Sequence, residues 1–269
     1  MNNKSLRTLA IAIVEAMVLM LAVGAYAQVE PPQTPPSPPK SPKDSAPIDL
    51  TGYWVSVVTE DWRWRMVTPL KGDAASVPTT AEARTVIDAW DPAKDEAAGL
   101  QCKAYGAPAI MRVPGRLHIT WQDDRALKIE TDAGRQTRLF HFDGRSRPRG
   151  AAPSWQGYSA AKWEGAIPIA GPALPFGLAP RLGARSRSLE VVTTGLRAGY
   201  LRKNGVPYSD KTVLKEYYDL FDESNGDTWF MVTTVVEDPV YLAVPFVTTS
   251  HFKQLRDASG WHPEPCTAR

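Results

Sequence analysis

The stretch that decides the fold class is LHITWQDDRALKIET, residues 117–131. In its first half Leu117, Ile119 and Trp121 alternate with polar residues, and the second half alternates again after the Asp-Asp pair. Successive side chains of a strand point to opposite faces, so a period of two gives each half one apolar face. We therefore predict two half-buried strands joined by a turn.

Further strand patterns recur along the chain at intervals of roughly ten residues, a spacing typical of β-sandwiches and barrels. The remaining predicted strands span residues 52–59, 62–66, 109–113, 138–142, 189–194, 213–221, 229–237 and 246–253. We predict a single all-β domain, in the form of an antiparallel barrel of the calycin or lipocalin type. A β-sandwich is the alternative.

One short helix is expected within this β pattern, near residues 80–90. Thr79 and Glu82 form a capping box, and the apolar residues that follow recur with a rough period of 3.6. The helix is expected to end at Asp91-Pro92, because the residue before a proline avoids the helical backbone conformation.

The N-terminus has the parts of a secretory signal peptide. Lys4 and Arg7 precede an apolar run over residues 9–23, and an A-x-A motif ends at Ala27. We predict that residues 1–27 are a signal peptide and that the protein is periplasmic or secreted. Retention of the run as a membrane anchor is the alternative, which Glu15 within the run disfavours.

Two segments have the composition of irregular chain. Residues 28–48 are predicted to form a disordered spacer, because eight of the seventeen residues 31–47 are proline. Such a spacer would allow the domain, residues 49–269, to associate with the cell envelope. Within the domain, a Pro- and Gly-rich insertion at residues 167–188 is either a lid over a binding cavity or a tolerated surface loop.

Composition excludes several classes of function. Lys and Arg total 31 against 29 Asp and Glu, so the chain lacks the basic surplus of a dedicated nucleic-acid binder. Two cysteines are too few for a zinc site built on cysteine alone, and we expect no cofactor. In an oxidising compartment Cys102 and Cys266 can pair, and we predict a disulfide, with one free thiol at each end as the alternative.

The strongest candidate for a binding site is the run from Trp62 to Arg65. Trp62 and Trp64 alternate with Arg63 and Arg65, which would give a strand with one aromatic and one cationic face. The pair of arginines could clamp an anionic ligand, or the run could be an edge strand that its arginines protect. We predict that Trp62, Trp64 and Trp121 face a shared apolar interior.

Other candidate residues lie further along the chain. His118, His141 and Trp163 are predicted to contact the ligand. A second hypothesis places His118, His141 and His251 together in the barrel as a metal site, although no short ligand spacing supports it. Ser159 lies in a G-x-S-x-A motif that departs from the nucleophile elbow, because the final glycine is absent and no helix follows.

The order of several short motifs resembles a large family of exported bacterial proteins of unknown function. The motifs are Cys102-Lys-Ala-Tyr-Gly, Asp143-Gly-Arg, Trp155-Gln-Gly-Tyr-Ser, Trp163-Glu-Gly and Asp238-Pro. The resemblance spans residues 50–253 and implies a single exported domain but no activity. Two departures stand out: Ala161 replaces the usual glycine, and the insertion intervenes between Trp-Glu-Gly and the apolar strand that directly follows this motif in the family. The Gly-Tyr-Trp start at Gly52 also resembles the opening of lipocalin-like barrels.

These observations favour a binding function. Barrel interiors hold small ligands, and the nine Trp residues, all beyond residue 50, could line such a cavity. We predict an exported protein that binds a small apolar or aromatic ligand in a barrel cavity. The alternatives are an enzyme, either an in-barrel lyase or isomerase or a carbohydrate hydrolase, and a carbohydrate-binding module with exposed Trp platforms.

Overall fold

The structure, a computed structural model, describes residues 40–145, 147–164 and 188–269. The predicted signal peptide, most of the predicted spacer and nearly all of the predicted insertion lie outside these ranges. Within them, no helix combines the length and apolar character needed to cross a membrane.

Strands dominate the described part of the chain, which confirms the all-β prediction. In chain order they are β1 (Gly52–Val57), β2 (Arg116–Asp123), β3 (Ala126–Thr131), β4 (Ala133–Gly134), β5 (Thr137–His141), β6 (Tyr158–Trp163), β7 (Ser188–Thr194), β8 (Gly199–Tyr200), β9 (Pro207–Tyr208), β10 (Val213–Asp222), β11 (Thr228–Glu237), β12 (Phe246–Leu255) and β13 (Glu264–Pro265). Nine of them close a barrel in the order β1-β12-β11-β10-β7-β6-β5-β3-β2, so a barrel rather than a sandwich is the observed architecture.

The pair β2–β3 is the hairpin that the sequence predicts. Ile119 is paired with Ile129, and Leu117 and Leu127 lie on the same buried face. Polar side chains between them point outward, because a strand alternates its faces. The barrel closes where β1 pairs with β2 on one side and with β12 on the other.

The barrel is mixed, so the prediction of a purely antiparallel barrel is wrong at one pair of strands. Strands β5 and β6 run in parallel, with Phe140 paired to Ser159 and His141 to Ala160. A parallel pair requires a crossover of a dozen residues or more. Residues 142–157 provide the crossover, with residue 146 outside the described ranges.

Four short helices and one 3-10 turn lie between β1 and β2. They are α1 (Trp62–Arg65), α2 (Ala81–Ala89), α3 (Pro92–Ala97), the 3-10 turn Gln101–Tyr105 and α4 (Ala107–Ile110). Helix α2 confirms the predicted helix, although its cap is Thr80, whose side chain accepts a hydrogen bond from the Ala83 N–H.

Helix α1 replaces the strand predicted over residues 62–66, so that prediction is wrong. Asp61 has a positive φ of 52°, and its carbonyl oxygen accepts hydrogen bonds from the N–H groups of Trp64 and Arg65. This turn ends the extended chain after β1. The strand predicted over residues 109–113 is also wrong, because the N–H groups of Ala109 and Ile110 both donate to the Gly106 carbonyl and start helix α4.

Helix α4 covers one end of the barrel, which we call the helical end. Ile110 and Met111, at the end of the helix, belong to the same buried cluster as the barrel interior. Residues 40–50 cover the opposite end, where Ile48 and Leu50 join that cluster and the Trp163 indole N–H donates to the Pro42 carbonyl at 2.9 Å. The described part of the predicted spacer is therefore packed on the barrel.

The centre of the barrel is filled by side chains. Trp54 packs edge-on against Phe230, with ring centroids 4.8 Å apart, and Phe230 stacks on Phe252. Beside them Arg138 and Glu216 form an ion pair whose two side chains are both 0% exposed. Rings and charges thus occupy the space in which the sequence suggests a ligand.

A disulfide joins Cys102 to Cys266, which confirms the predicted pair. It ties the C-terminal tail to the 3-10 turn before α4. The same tail forms β13, which pairs in parallel with β4.

Candidate functional site

The candidate site is a cavity of about 50 Å³ at the helical end, outside the barrel wall. Helix α1, the end of helix α4 and the loop after β8 form its walls. We call it the arginine pocket, because its lining includes Arg65, Arg112 and Arg202 together with Lys203 and Trp64. The three arginine residues are only 5–8% exposed.

Arg65 is held at the end of helix α1 by two hydrogen bonds. Its Nε–H donates to the Arg112 carbonyl at 2.9 Å, and its Nη1 donates to Glu60 Oε1 at 2.5 Å. Burial lowers the pKa of Arg65 below its ordinary value, and the Glu60 carboxylate opposes that effect. The Nη2 group of Arg65 has no hydrogen-bond partner among the described residues.

Arg112 follows helix α4 and pairs with the residue that precedes helix α1. Its Nη2 donates to Asp61 Oδ2 at 2.8 Å, and its guanidinium lies 5.6 Å from the centroid of the Phe246 ring. The Nη1 group finds no acceptor in the described part of the chain.

Arg202 approaches the pocket from the loop after β8. Its Nη1 donates to the Ala75 carbonyl and its Nη2 to Ser76 Oγ, both at 2.8 Å, and the guanidinium lies 5.0 Å from the centroid of the Trp64 ring. Burial, assisted by the positive charge of Arg112, lowers the pKa of Arg202 to about 10. Within the described ranges its Nε–H is unsatisfied.

The pocket therefore carries an excess of positive charge and of hydrogen-bond donors. Among the residues that the structure describes, only Glu60 and Asp61 form ion pairs with its arginines. A buried donor without a partner costs about 1–3 kcal/mol, and more when it is charged. Guanidinium groups bind carboxylate and phosphate through paired hydrogen bonds, and an anion would also offset the surplus of positive charge.

Backbone strain is concentrated around the same pocket. Asp61 and Ser76 have φ values of 52° and 64°, in a region that residues other than glycine seldom adopt. Asp61 accepts a hydrogen bond from Arg112, and Ser76 accepts one from Arg202. Strained residues that persist in this way are common at binding sites.

The structure divides the predicted site residues among different places. Trp64 and Arg65 line the arginine pocket, whereas the Arg63 side chain is 68% exposed and contacts Asp73 at 3.4 Å. Trp62 is 67% exposed, so the prediction that it shares an apolar interior with Trp64 is wrong. One helical turn sends neighbouring side chains in different directions, and the expected two-faced strand does not exist.

Trp121 and Trp163 lie at the opposite end of the barrel from the arginine pocket. They form an aromatic cluster with Phe142, with ring centroids 6.3 Å apart between the two tryptophans and 4.9 Å between Phe142 and Trp163. Trp121 therefore does not share a cavity with Trp64.

The predicted histidines point outward from the barrel wall. His118 stacks on Tyr53 and His141 stacks on Tyr158, while His251 Nδ1 lies 3.2 Å from Glu60 Oε2. The hypothesis that three imidazoles converge inside the barrel is wrong, because their strand neighbours occupy the inward positions. No group of three or more His, Cys, Asp or Glu among the described residues is placed to hold a metal ion.

Ser159 is part of strand β6 and faces inward. It is 2% exposed, and its Oγ lies 2.7 Å from Thr193 Oγ1. The strand context excludes the strand–turn–helix geometry of a nucleophile elbow at this serine.

Sequence reasoning missed Arg112 and Arg202, which supply two of the three guanidinium groups. Arg112 lies in a segment predicted as a strand, and Arg202 lies in a short Leu-Arg-Lys-Asn-Gly turn with no repeating pattern.

Comparison of the chain with protein-family models, with curated proteins and with solved structures finds no match. Function is therefore inferred from the geometry of the arginine pocket.

Proposed function

We propose that the protein is a non-catalytic binding protein that takes the anionic group of a small ligand into the arginine pocket. One observation carries the proposal: Arg65, Arg112, Arg202 and Lys203 line one small cavity, and among the described residues only Glu60 and Asp61 form ion pairs with its arginines. Positive charges gathered at one place repel one another unless negative charges compensate them. A bound carboxylate or phosphate supplies the compensating negative charge.

The nearby acids favour binding over catalysis. Glu60 pairs with Arg65, and Asp61 pairs with Arg112. Each carboxylate accepts a hydrogen bond from a guanidinium group, so these acids serve to hold the arginines. The same pairs fix the directions of the arginine side chains, which is what a preorganised anion site requires.

The size of the cavity limits how much of a ligand can enter. Its volume of about 50 Å³ is far below the roughly 300 Å³ or more of a pocket that encloses a drug-sized ligand. The pocket therefore accepts a head group, and the rest of the ligand stays at the rim. The sequence predicts an apolar ligand inside the barrel. Because side chains fill that interior, the ligand instead binds outside the barrel wall, through an anionic group.

Export remains part of the proposal. The Cys102–Cys266 disulfide is compatible with an oxidising compartment, where such bonds persist. The signal peptide and the resemblance to exported bacterial proteins stay predictions.

Titration calorimetry with glycerol phosphate, acetate and neutral glycerol tests the proposal. We expect the wild type to bind the two anions and not glycerol. Arg202→Gln removes one charged donor set, and losing a charged hydrogen bond of about 1.5–3 kcal/mol predicts affinity weaker by roughly 10- to 100-fold.

The matched control is Arg63→Gln, which removes an exposed arginine beside the same Trp64. It should change affinity by less than about threefold, since exposed charge contributes little. Thermal melting shows whether each variant is folded. Failure of the wild type to bind either anion at millimolar concentration, or equal losses in the two variants, would refute the proposal.

A further inference from the structure

The rim of the arginine pocket exposes large apolar side chains. Helix α1 and the chain after it present what we call the apolar collar, formed by Trp62, Met66, Val67 and Leu70, each 60–74% exposed. Val67 also lines the pocket itself. Exposed apolar side chains that cluster in this way mark an interaction site.

Other large apolar side chains extend the same end of the molecule. Val244 and Val247 are 59% and 57% exposed, and Val247 shares a second cavity with Glu60 and Asp61. The large hydrophobic side chains that the described residues leave exposed are these two and the collar. They are gathered at the helical end and are not scattered over the barrel.

Positive charge accompanies the collar. Arg63 and Lys71 are both exposed, and the sequence from residue 62 to residue 72 contains no acidic residue, although Asp73 follows it and contacts Arg63 at 3.4 Å. Side chains of Trp, Met, Val and Leu that project beside Arg and Lys are typical of segments that bind at a membrane interface. The basic groups reach the anionic surface while the apolar groups enter the boundary between head groups and acyl chains.

We propose that the helical end of the barrel docks on a membrane surface, with the collar in the interface and the phosphate of an anionic phospholipid in the arginine pocket. The inference rests on the proposed function and names the source of its anion. The small cavity admits only a head group, and the collar lies where the glycerol and acyl portions of the lipid would continue.

Charge and shape favour a membrane over a second copy of the chain. A two-fold dimer would bring the same patch of each copy together, and the exposed Arg63 and Lys71 of each copy would then meet like charges. The collar side chains project into solvent at 60–74% exposure, so they fit a deformable surface better than they enclose a single acyl chain.

Vesicle flotation tests the proposal with phosphatidylcholine alone and with phosphatidylcholine containing phosphatidylglycerol. We expect the wild type to float with the anionic vesicles and at least tenfold less with the neutral ones. Trp62→Ser/Leu70→Ser should reduce flotation at least tenfold and leave glycerol phosphate binding unchanged. Arg202→Gln should reduce both.

The control variant removes a tryptophan that lies outside the collar. Trp261 packs against Tyr53 and His118 on the barrel wall, away from the collar, so Trp261→Ser should float like the wild type. Glycerol phosphate binding without flotation would overturn the docking proposal and leave the proposed function intact. Flotation that does not depend on the collar, or does not depend on Arg202, would also overturn it.

Two further outcomes identify a different occupant. A dimer in sedimentation velocity that Trp62→Ser/Leu70→Ser dissociates, without flotation of the wild type, would overturn membrane docking in favour of a second copy. Binding of a monomeric short-chain phosphatidylglycerol without binding to vesicles would overturn it in favour of a free lipid. If the wild type binds neither glycerol phosphate nor vesicles, both proposals fail.

Discussion

Glu216→Leu should destabilise the protein strongly, because it leaves a buried guanidinium without its counter-charge. Arg138 Nη1 and Nη2 donate to the two carboxylate oxygens of Glu216 at 2.9 and 2.5 Å, and the Tyr218 hydroxyl donates to Oε1 at 3.1 Å. Burial alone would lower the pKa of Arg138, but the adjacent Glu216 and Tyr218 raise it above its ordinary value. Arg138 is therefore charged in the folded barrel.

The magnitude follows from the complete burial of the pair. Removing one partner of a buried ion pair costs about 3–5 kcal/mol, whereas replacing both by apolar residues is often neutral. Arg138→Met/Glu216→Leu should therefore recover most of the loss and retain about 1–3 kcal/mol for the Tyr218 hydroxyl that has lost its acceptor. Adding Tyr218→Phe should remove that remainder.

Urea denaturation followed by circular dichroism measures these differences as shifts of the midpoint at constant slope. From the most to the least stable, the expected order is the wild type, the triple variant, the double variant and Glu216→Leu. A cost below about 1 kcal/mol for Glu216→Leu, or a double variant as unstable as the single one, would show that the charge on Arg138 finds compensation elsewhere.

Two further predictions concern the tail and a buried acid. Replacing Cys102 and Cys266 by serine should lower the free energy of unfolding by up to about 5 kcal/mol in the chain-entropy model, because the bridge spans a separation of 164 residues; an unchanged urea midpoint, or two free thiols titrated in the denatured wild type, would contradict it. Burial opposes ionisation of Asp238, but hydrogen bonds from the backbone N–H groups of Ser209, Val240 and Tyr241 and from the Thr212 hydroxyl outweigh it and lower its pKa. A depressed pKa stabilises the fold above the unfolded-state value of about 3.9, and the stabilisation is lost as pH falls through the folded-state pKa. Asp238→Asn should therefore lower the melting temperature at pH 7, and the difference from the wild type should shrink as pH falls below about 4. A difference in melting temperature that does not depend on pH would refute this.

The barrel could be predicted because its signals are local. The alternation around Ile119 and Ile129 fixes one inward face for each strand, since a slip of one residue would expose every apolar side chain. Helix α1 could not be predicted from the same rule. Four residues, Trp-Arg-Trp-Arg, fit one helical turn as well as a short strand, and the buried bonds of Arg65 to the Arg112 carbonyl and to Glu60 accompany the helix.

The site was predictable only in part, because two of its arginines come from distant parts of the chain. The sequence singles out Trp64 and Arg65, which do line the pocket. Arg112 and Arg202 reach the pocket through tertiary contacts that no local pattern encodes. The histidines illustrate the opposite error: the hypothesis of a metal site needs His118 to point inward, yet the inward places of its strand belong to Leu117 and Ile119.

The seam of the barrel sets the order in which the chain can fold. Strand β1 pairs with β12, so that Tyr53 lies opposite Leu255. One edge of the first barrel strand therefore stays unpaired until the last barrel strand is in place. The β2–β3 hairpin can form early, but the cylinder cannot close until the chain up to residue 255 is available to pair. Contacts this distant along the chain are slow to form, because the entropy of loop closure must be lost first. Until closure, β1 keeps an unpaired edge, and such an edge can pair with other chains and aggregate.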